Sequence, residues 1–405
     1  MPAFELDIAP LHFPLVGNSF AVGFFSLLHI ALAGLSVGFM VLAPLFQLTG
    51  RSIPFNRDLA HTVTRFTVVV FSVSTVLAVI MVELLIGLFP VTTMWMWNRF
   101  RAPIVLGAAA FILQLIMLYP YYHFWEALQK YSLALHITLG ALAAGFMLLW
   151  VAMLDGMGSY MLTPVEGATS WDNMWNPTWG PLLLHRMVGN LLIAGYAIAA
   201  YGAWRSRRAQ DLSEQPYYMH LLKTGWMIGL TGLLLQPFTG LLYALVIGQS
   251  APAAYEQLVD GPYRGFLYYL QFILIGLLFI GNHGLLKSIQ VSHRGMTWFD
   301  GAMVASALGM VLSVGHTDLR RIFLYVLVAL TLWSVAAEGK RSLVVTDASS
   351  RLLLPVAMSL GIVSILVYLT MGTIRETARH PDTIRGKISL HDEVRHQESS
   401  REASR

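Results

Sequence analysis

The stretch VGFFSLLHIALAGLSVGF, residues 22–39, places His29 in the middle of a continuous apolar segment. A second stretch, WGPLLLHRMVGNLLIAGY at residues 179–196, places His185 in a similar setting. A polar group without a partner in lipid costs several kcal/mol, so each imidazole must be paired, line a cavity or bind a metal. Iron in a haem is the metal favoured here, and a hydrogen bond between helices is the alternative.

The composition indicates a protein that crosses a membrane several times. Of its 405 residues, 56% are hydrophobic and 12% are charged, and the mean hydropathy is +0.62. About ten apolar stretches approach the roughly 20 residues that a spanning helix needs, and the last three are the shortest. We therefore predict an all-α, polytopic membrane helix bundle of about nine or ten transmembrane helices in residues 1–372, with a polar, flexible tail in residues 373–405.

The absence of cysteine limits the cofactors and covalent bonds that the chain can form. The chain has no cysteine, which excludes disulfides, thiolate-bound iron-sulfur clusters and a c-type haem attached through C-x-x-C-H. A cofactor would have to be held by His, Met or carboxylate. The sequence carries no nucleotide fingerprint, catalytic triad or basic patch typical of nucleic-acid binding, so we expect no nucleic-acid partner.

The distribution of Lys and Arg among the short loops predicts the orientation. With the N-terminus outside, most basic loop residues lie in the cytoplasm, among them Arg51, Arg57, Arg205, Arg207 and Arg208. We expect a multi-pass protein of the bacterial cytoplasmic (inner) membrane. The side of the tail depends on whether nine or ten helices cross.

A second ligand would decide what an iron bound to His29 can do. His136, on the fourth apolar segment, is one candidate. Two histidines give six-coordinate, low-spin iron suited to electron transfer, whereas an open axial position allows oxygen to bind. The sequence leaves both alternatives open.

Two acids lie within or beside apolar segments. Glu83, in VIMVELLIGLF at residues 79–89, is a candidate for a proton relay or for orienting a ligand histidine, and a protonated acid paired between helices is the alternative. Asp155 lies where the fourth segment is predicted to end, so we expect it to be solvated.

Two outer stretches, TTMWMWNRFRAP at residues 92–103 and ATSWDNMWNPTWGP at residues 168–181, are rich in Trp and Asn. Such residues form interfacial belts in many membrane proteins. The functional alternative is that Arg99 and Arg101 hold haem propionates as bidentate partners, and that the aromatic surface docks a periplasmic redox protein.

The order and spacing of these segments resemble subunit I of the cytochrome bd quinol oxidases. The resemblance covers about the first 250 residues and rests on the His29 segment, a basic first loop, RAPIVLGAAAFILQL at residues 101–115, and the His185 segment leading to the RSRR loop. It implies that His29 binds the haem of the oxygen-reducing site and that His185 binds a low-spin haem near the outer face.

The chain also departs from that family. The resemblance implies carboxylates on the third helix, where this chain has Gly107 and Leu115. The family's long quinol-binding loop shrinks to about residues 248–263, and its G-R-x-P-W signature is absent. The family's haem methionine has no counterpart in residues 266–286, so His316 on the eighth segment is the substitute that we expect.

Three hypotheses follow. The first is an integral membrane subunit that carries haem b, one to three in number with quinone as a further candidate, and passes electrons between the quinone side and a periplasmic cytochrome or other carrier. Its partners would be the lipid bilayer and other membrane subunits of a redox complex. The second is a bd-like terminal oxidase, and the third is a cofactor-free proton or solute transporter or membrane anchor. Whether the chain is itself an enzyme is left open.

Overall fold

The computed structural model describes residues 11–209, 211–260, 265–288, 297–313, 315–338 and 347–403. These residues form fourteen α-helices, one 3-10 turn at Leu212–Glu214 and one two-stranded hairpin, which confirms the all-α prediction. The helices are α1 (Asn18–Thr49), α2 (Pro54–Leu88), α3 (Pro90–His123), α4 (Trp125–Tyr131), α5 (Leu133–Leu162), α6 (Ser170–Met174), α7 (Trp179–Arg208), α8 (Gln215–Ser250), α9 (Pro252–Asp260), α10 (Phe266–Ser288), α11 (Thr297–Leu312), α12 (Thr317–Glu338), α13 (Asp347–Thr377) and α14 (Leu390–Ala403).

Nine of the described helices are long and apolar enough to cross a membrane. They are α1, α2, α3, α5, α7, α8, α10, α12 and α13. One of the three shortest apolar stretches corresponds to α11, which has 16 residues and is shorter than the usual span. The prediction of a polytopic bundle with nine or ten spans is confirmed. The number is nine if α11 does not cross the membrane and ten if it does.

The turn between α1 and α2 depends on a glycine and a proline. Gly50 follows the last residue of α1, and its N–H donates to the carbonyl of Phe46. A Cβ at Gly50 would lie 3.0 Å from the backbone nitrogen of Arg57, so a side chain at this position would crowd the start of α2. Pro54 then begins α2, where its missing N–H is not needed.

The stretch expected to be an outer loop, residues 92–103, is helical instead. α3 begins at Pro90 and continues through a kink at Phe100, whose φ and ψ are −119° and 22°. The kink precedes Pro103, because a proline ring clashes with the carbonyl four residues earlier and removes one helical hydrogen bond. Arg99 and Arg101 therefore flank a bent helix rather than lie in a loop.

The chain groups into two compact units where the sequence suggested one bundle. Unit 1 comprises Met1–Met187, Leu241–Leu258 and Arg375–Arg405, and unit 2 comprises Val188–Gly240 and Val259–Ile374. In unit 1, α1 packs against α2 and α3 packs against α5. In unit 2, α11 packs against both α10 and α12. The boundary expected at residue 372 falls inside α13, which continues to Thr377.

The C-terminal segment, predicted to be a flexible tail, belongs to unit 1, where β1 packs against α5 and α14 packs against α3. Strands β1 (Asp382–Ile384) and β2 (Ile388–Ser389) form an antiparallel hairpin, and buried Ile384 and Ile388 share a core cluster with Phe100 and Tyr160. The sequence suggested a flexible extension because this segment is polar overall, whereas in the structure its two isoleucines are buried against the helices.

The carboxylate of Glu393 completes this attachment at the start of α3. It is 2% exposed and accepts hydrogen bonds from the backbone N–H groups of Thr92, at 2.7 Å, and Val91, at 3.2 Å. Phe89, the N-cap residue of α3, has no side-chain hydrogen bond to these N–H groups. A negative charge at a helix N-terminus is favourable because the first N–H groups have no partner within the helix.

Candidate functional site

His29 is held in one orientation by α2. Its Nδ1 lies 2.9 Å from the carbonyl oxygen of Ser74 and 3.1 Å from the Ser74 hydroxyl oxygen. With the proton on Nδ1 donated to the carbonyl, Nε2 keeps the lone pair that a metal requires. Ligand histidines are commonly fixed in this way by a hydrogen bond from the other ring nitrogen.

His185 lies in the second turn of α7 and is partly buried. Its ring stacks on Tyr243 of α8, with the ring centroids 6.3 Å apart and the planes 27° apart. The Tyr243 hydroxyl accepts a hydrogen bond from Nε of Arg375 at 3.2 Å. Arg375 also donates to the carbonyl of Gly158 at 2.8 Å, which places its guanidinium beside the end of α5.

A buried ion pair lies directly next to His185. Arg186 pairs with Asp155, which is fully buried although the sequence suggested a solvated helix end. That prediction was wrong because α5 continues for two more turns, to Leu162. The pair is not aligned as a hydrogen bond, and the Asp155 carboxylate has no hydrogen-bond donor among the described residues.

Together these residues form what we call the His185 cluster, defined by His185, Arg186, Asp155, Tyr243 and Arg375. It carries two guanidinium groups and one carboxylate, so its formal charge is positive. Sequence reasoning missed Arg186 and Arg375. The signal for Arg186 was present, because an arginine inside an apolar helix needs a partner. Arg375 could not be found, because only the fold brings the last long helix to α5.

His136 does not lie near His29. Its Nδ1 contacts the amide of Gln47, and its Nε2 lies 2.9 Å from the carbonyl oxygen of Tyr121. Gln47 follows His29 by 18 residues on α1, a separation of about 27 Å along the helix. Both ring nitrogens are engaged at the opposite end of α1, so His136 is not a second ligand for an iron at His29.

His316 lies in the short turn before α12 rather than on a spanning helix. Its side chain is exposed, its backbone N–H donates to Ser313 and its carbonyl accepts from Arg320. It belongs to unit 2, whereas His185 belongs to unit 1. Its role as the substitute ligand for the His185 haem therefore stays a prediction.

Of the two arginines predicted to hold haem propionates, Arg99 binds other groups. Arg99 donates to the side-chain oxygen of Asn173 at 2.9 Å, lies 3.9 Å from Glu166 and covers the ring of Trp95. Arg101 is partly buried just after the kink of α3. The contacts of Arg99 connect α3 with α6 and its preceding loop, whereas Arg375 is part of the His185 cluster.

Glu83 lies on the exposed face of α2, beside exposed Val79 and Val82. It follows Ser74 by nine residues, about 13 Å along the helix. The residue that orients His29 is therefore Ser74, through its carbonyl and hydroxyl, and not this carboxylate.

The third spanning helix has no room for an acid at one of the two positions that the resemblance implies. A Cβ on Gly107 would lie 2.5 Å from the ring of Trp150, so the indole fills that place. Seven residues further along, Gln114 is fully buried, and its amide has no hydrogen-bond partner in the described part of the chain. Sequence reasoning looked for charges on this helix and missed the amide.

The short connection after α8 is a packed helix. Ala254 of α9 is buried in a cluster with Leu162, Leu182 and Tyr243. α9 therefore covers apolar side chains next to the His185 cluster. The family's long loop is replaced by nine helical residues, Pro252–Asp260.

Comparisons with known proteins agree with this arrangement. A family model described as cytochrome bd terminal oxidase subunit I matches residues 19–264. The fold is similar to a chain in the structure of bd oxidase from Geobacillus thermodenitrificans, with a TM-score of 0.57 and 14% sequence identity over 89% of this chain and 97% of that chain. No curated protein sequence matches the chain. Because the family model matches more than half of the residues, the chain belongs to the family of cytochrome bd terminal oxidase subunit I, and its role is in membrane redox chemistry.

Proposed function

We propose that the chain is the haem b-carrying membrane subunit of a respiratory complex and that it passes electrons between the quinone side and a redox partner at the outer face. The observation that carries this proposal is the position of His185 near a row of tryptophans that reaches the surface at Trp175. His185 follows Trp179 by six residues, about 9 Å along α7.

The tryptophan row extends from α7 to the surface of unit 1. The rings of Trp175 and Trp179 are 4.5 Å apart between centroids, and those of Trp171 and Trp175 are 6.1 Å apart. Trp175 is 50% exposed, and the indole N–H of Trp179 donates to the carbonyl of Ala152. Aromatic residues are enriched where proteins bind one another, so this row suits the docking of a periplasmic electron carrier.

The donor groups of unit 1 fit a haem at each of the two histidines. A bound haem supplies reversible one-electron chemistry at its iron. The anchored ring of His29 offers Nε2 as an axial ligand, and in the His185 cluster Arg186 and Arg375 offer positive charge to carboxylates. We propose Arg375 in place of Arg99 as a partner of a propionate, and the role of Arg101 stays a prediction.

Oxygen reduction at His29 is the second candidate function. It is favoured by the separation of His29 from His136, because an iron with one histidine ligand keeps a position for oxygen. Family membership supports this candidate as strongly as the first.

Spectroscopy of the purified protein tests both candidates. We expect a reduced-minus-oxidised spectrum with a haem b band, and loss of part of that band in His29→Ala and in His185→Ala. His123→Ala, at an exposed histidine, is the matched control and should keep the full spectrum. Carbon monoxide binding to the reduced protein that disappears in His29→Ala would indicate oxygen reduction. If the unmodified protein binds no carbon monoxide, electron transfer is the function that remains. Spectra unchanged in both site variants would refute the haem assignment.

We also propose that the N-terminus and the C-terminal segment lie outside the bacterial cytoplasmic membrane. Leu390 packs with Ala21, near the start of α1, and with Leu88 and Phe89. A chain that enters and leaves at the same end of one unit crosses the membrane an even number of times. With nine long helices described, this parity favours α11 as a tenth crossing.

The absence of cysteine makes this topology directly measurable. In intact cells a membrane-impermeant maleimide should label exposed Val394→Cys, whereas Arg207→Cys should be labelled only after permeabilisation. The reverse pattern would invert the orientation.

We propose further that the exposed face of α2 meets a companion membrane subunit. Its exposed stripe includes Val69, Val73, Val76 and Val79, and Glu83 lies just beyond. A carboxyl group within a membrane-spanning helix needs a polar or charged partner. Glu83→Ala should weaken co-purification of that subunit, whereas Val79→Ala should do so less. Equal retention in both variants would leave proton transfer as the role to test for Glu83.

A further inference from the structure

A cavity lies where α1 ends and α2 and α5 begin. Its volume is about 250 Å³, and its lining consists of Gln47, Gly50, Arg51, Arg57, Gln129 and Leu133. All of these residues belong to unit 1. α1 ends at Thr49 and α2 starts at Pro54, so the cavity lies at the ends of two helices that are long and apolar enough to cross a membrane, where we expect lipid headgroups.

The lining is positive. It includes the guanidinium groups of Arg51 and Arg57, and no Asp or Glu is among the described lining residues. The cavity also lies at the N-terminus of α2, which is the positive end of that helix dipole. The close approach of Gly50 to the backbone of Arg57 brings the two arginine-bearing segments together.

Two amides add fixed polar groups. Gln47 is 2% exposed, and it is held by the Tyr121 hydroxyl, which donates to its Oε1 at 3.0 Å, and by contact of its Nε2 with His136. One N–H of the Gln47 amide remains for a ligand after the His136 contact. The nitrogen and oxygen of the Gln129 amide are both buried without a hydrogen-bond partner in the described residues.

We propose that this cavity binds an anionic phosphate group, carried either by the headgroup of an acidic lipid or by a small soluble phosphate. Arginine presents a planar set of donors that matches phosphate oxygens, and amide N–H groups complete such a shell. A volume below that of usual drug-sized pockets suits a headgroup rather than a large cofactor. The site is separate from the proposed haem ligands, because Gln47 is 18 residues from His29 on α1.

The test uses the full chain purified in a zwitterionic detergent. In one arm, phosphatidylglycerol is titrated and bound lipid is counted by native mass spectrometry. In the other arm, inorganic phosphate is titrated and the thermal midpoint is followed. We expect Arg51→Gln/Arg57→Gln to weaken binding roughly thirtyfold, since each basic residue contributes about a factor of five next to an anionic headgroup.

Two further variants separate binding from folding. Arg207→Gln/Arg208→Gln removes two exposed arginines at another helix end and should leave binding unchanged. Gln129→Leu keeps both cavity charges and should weaken binding roughly fivefold, the effect of one hydrogen bond. Protection by the lipid alone identifies a headgroup site, and protection by inorganic phosphate as well identifies a soluble phosphate site. Equal affinity in the wild type, Arg51→Gln/Arg57→Gln and Gln129→Leu would overturn the proposal.

Discussion

Replacement of Asp155 by Asn should destabilise the protein strongly. Asp155 is fully buried and pairs with Arg186, whose side chain is 23% exposed. Asn has nearly the same shape but no charge, so the variant leaves a largely buried guanidinium without its counter-ion. Breaking a buried pair on one side typically costs about 3–5 kcal/mol, and the partial exposure of Arg186 favours about 3 kcal/mol.

The assay is the free energy of unfolding in mixed micelles, measured for a double-mutant cycle. Asp155→Asn/Arg186→Gln removes both charges and should recover part of the loss, with a coupling energy in the range of about 0.5–3 kcal/mol. Asp318→Asn is the control, because Asp318 is 94% exposed and its ion pair with Arg321 is worth about 1 kcal/mol or less. The reasoning fails if Asp155→Asn is as mild as the control, or if the two single effects add without coupling.

Three further predictions concern the C-terminal segment and α3. Glu393→Ala should lower the free energy of unfolding by about 1–3 kcal/mol, because the first N–H groups of α3 lose their acceptor; an unchanged unfolding curve would contradict this. Hydrogen bonds from Ser389 hold the pKa of Asp392 at about 2, below its ordinary value. The stabilisation is therefore present above pH 4 and lost as the pH falls through about 2, and hydrogen exchange at the start of α14 should accelerate only over that range. Gln114→Leu should raise the free energy of unfolding by about 1–3 kcal/mol if the amide has no partner, and a loss of stability would instead reveal a bound water or cofactor.

The membrane architecture could be predicted from the sequence because runs of apolar residues report spans directly. The ends of the helices were harder to predict where polar residues lie within them. Residues 92–103 contain Asn98 and Arg99 and were interpreted as a loop, yet their ends are fixed by Pro90 and by packing on the hairpin. Asp155 was interpreted as solvated because its helix was expected to end at residue 154.

The candidate site could be predicted only in part. His29 and His185 stood out because an imidazole is unusual in such apolar surroundings. Ser74 did not, because its carbonyl is a backbone group that every residue carries, and only the register of α1 against α2 selects it. Arg375 and Tyr243 belong to distant parts of the chain, and sequence patterns hold no information on long-range contacts of this kind.

The bond between Glu393 and the start of α3 has a consequence for biogenesis. Thr92 and Glu393 are separated by 301 positions along the chain. During synthesis the start of α3 cannot gain this acceptor until nearly all of the following helices have been made. A chain interrupted in that interval would lack the acceptor for these N–H groups, so a contact near the N-terminal quarter of the protein depends on its C-terminal segment.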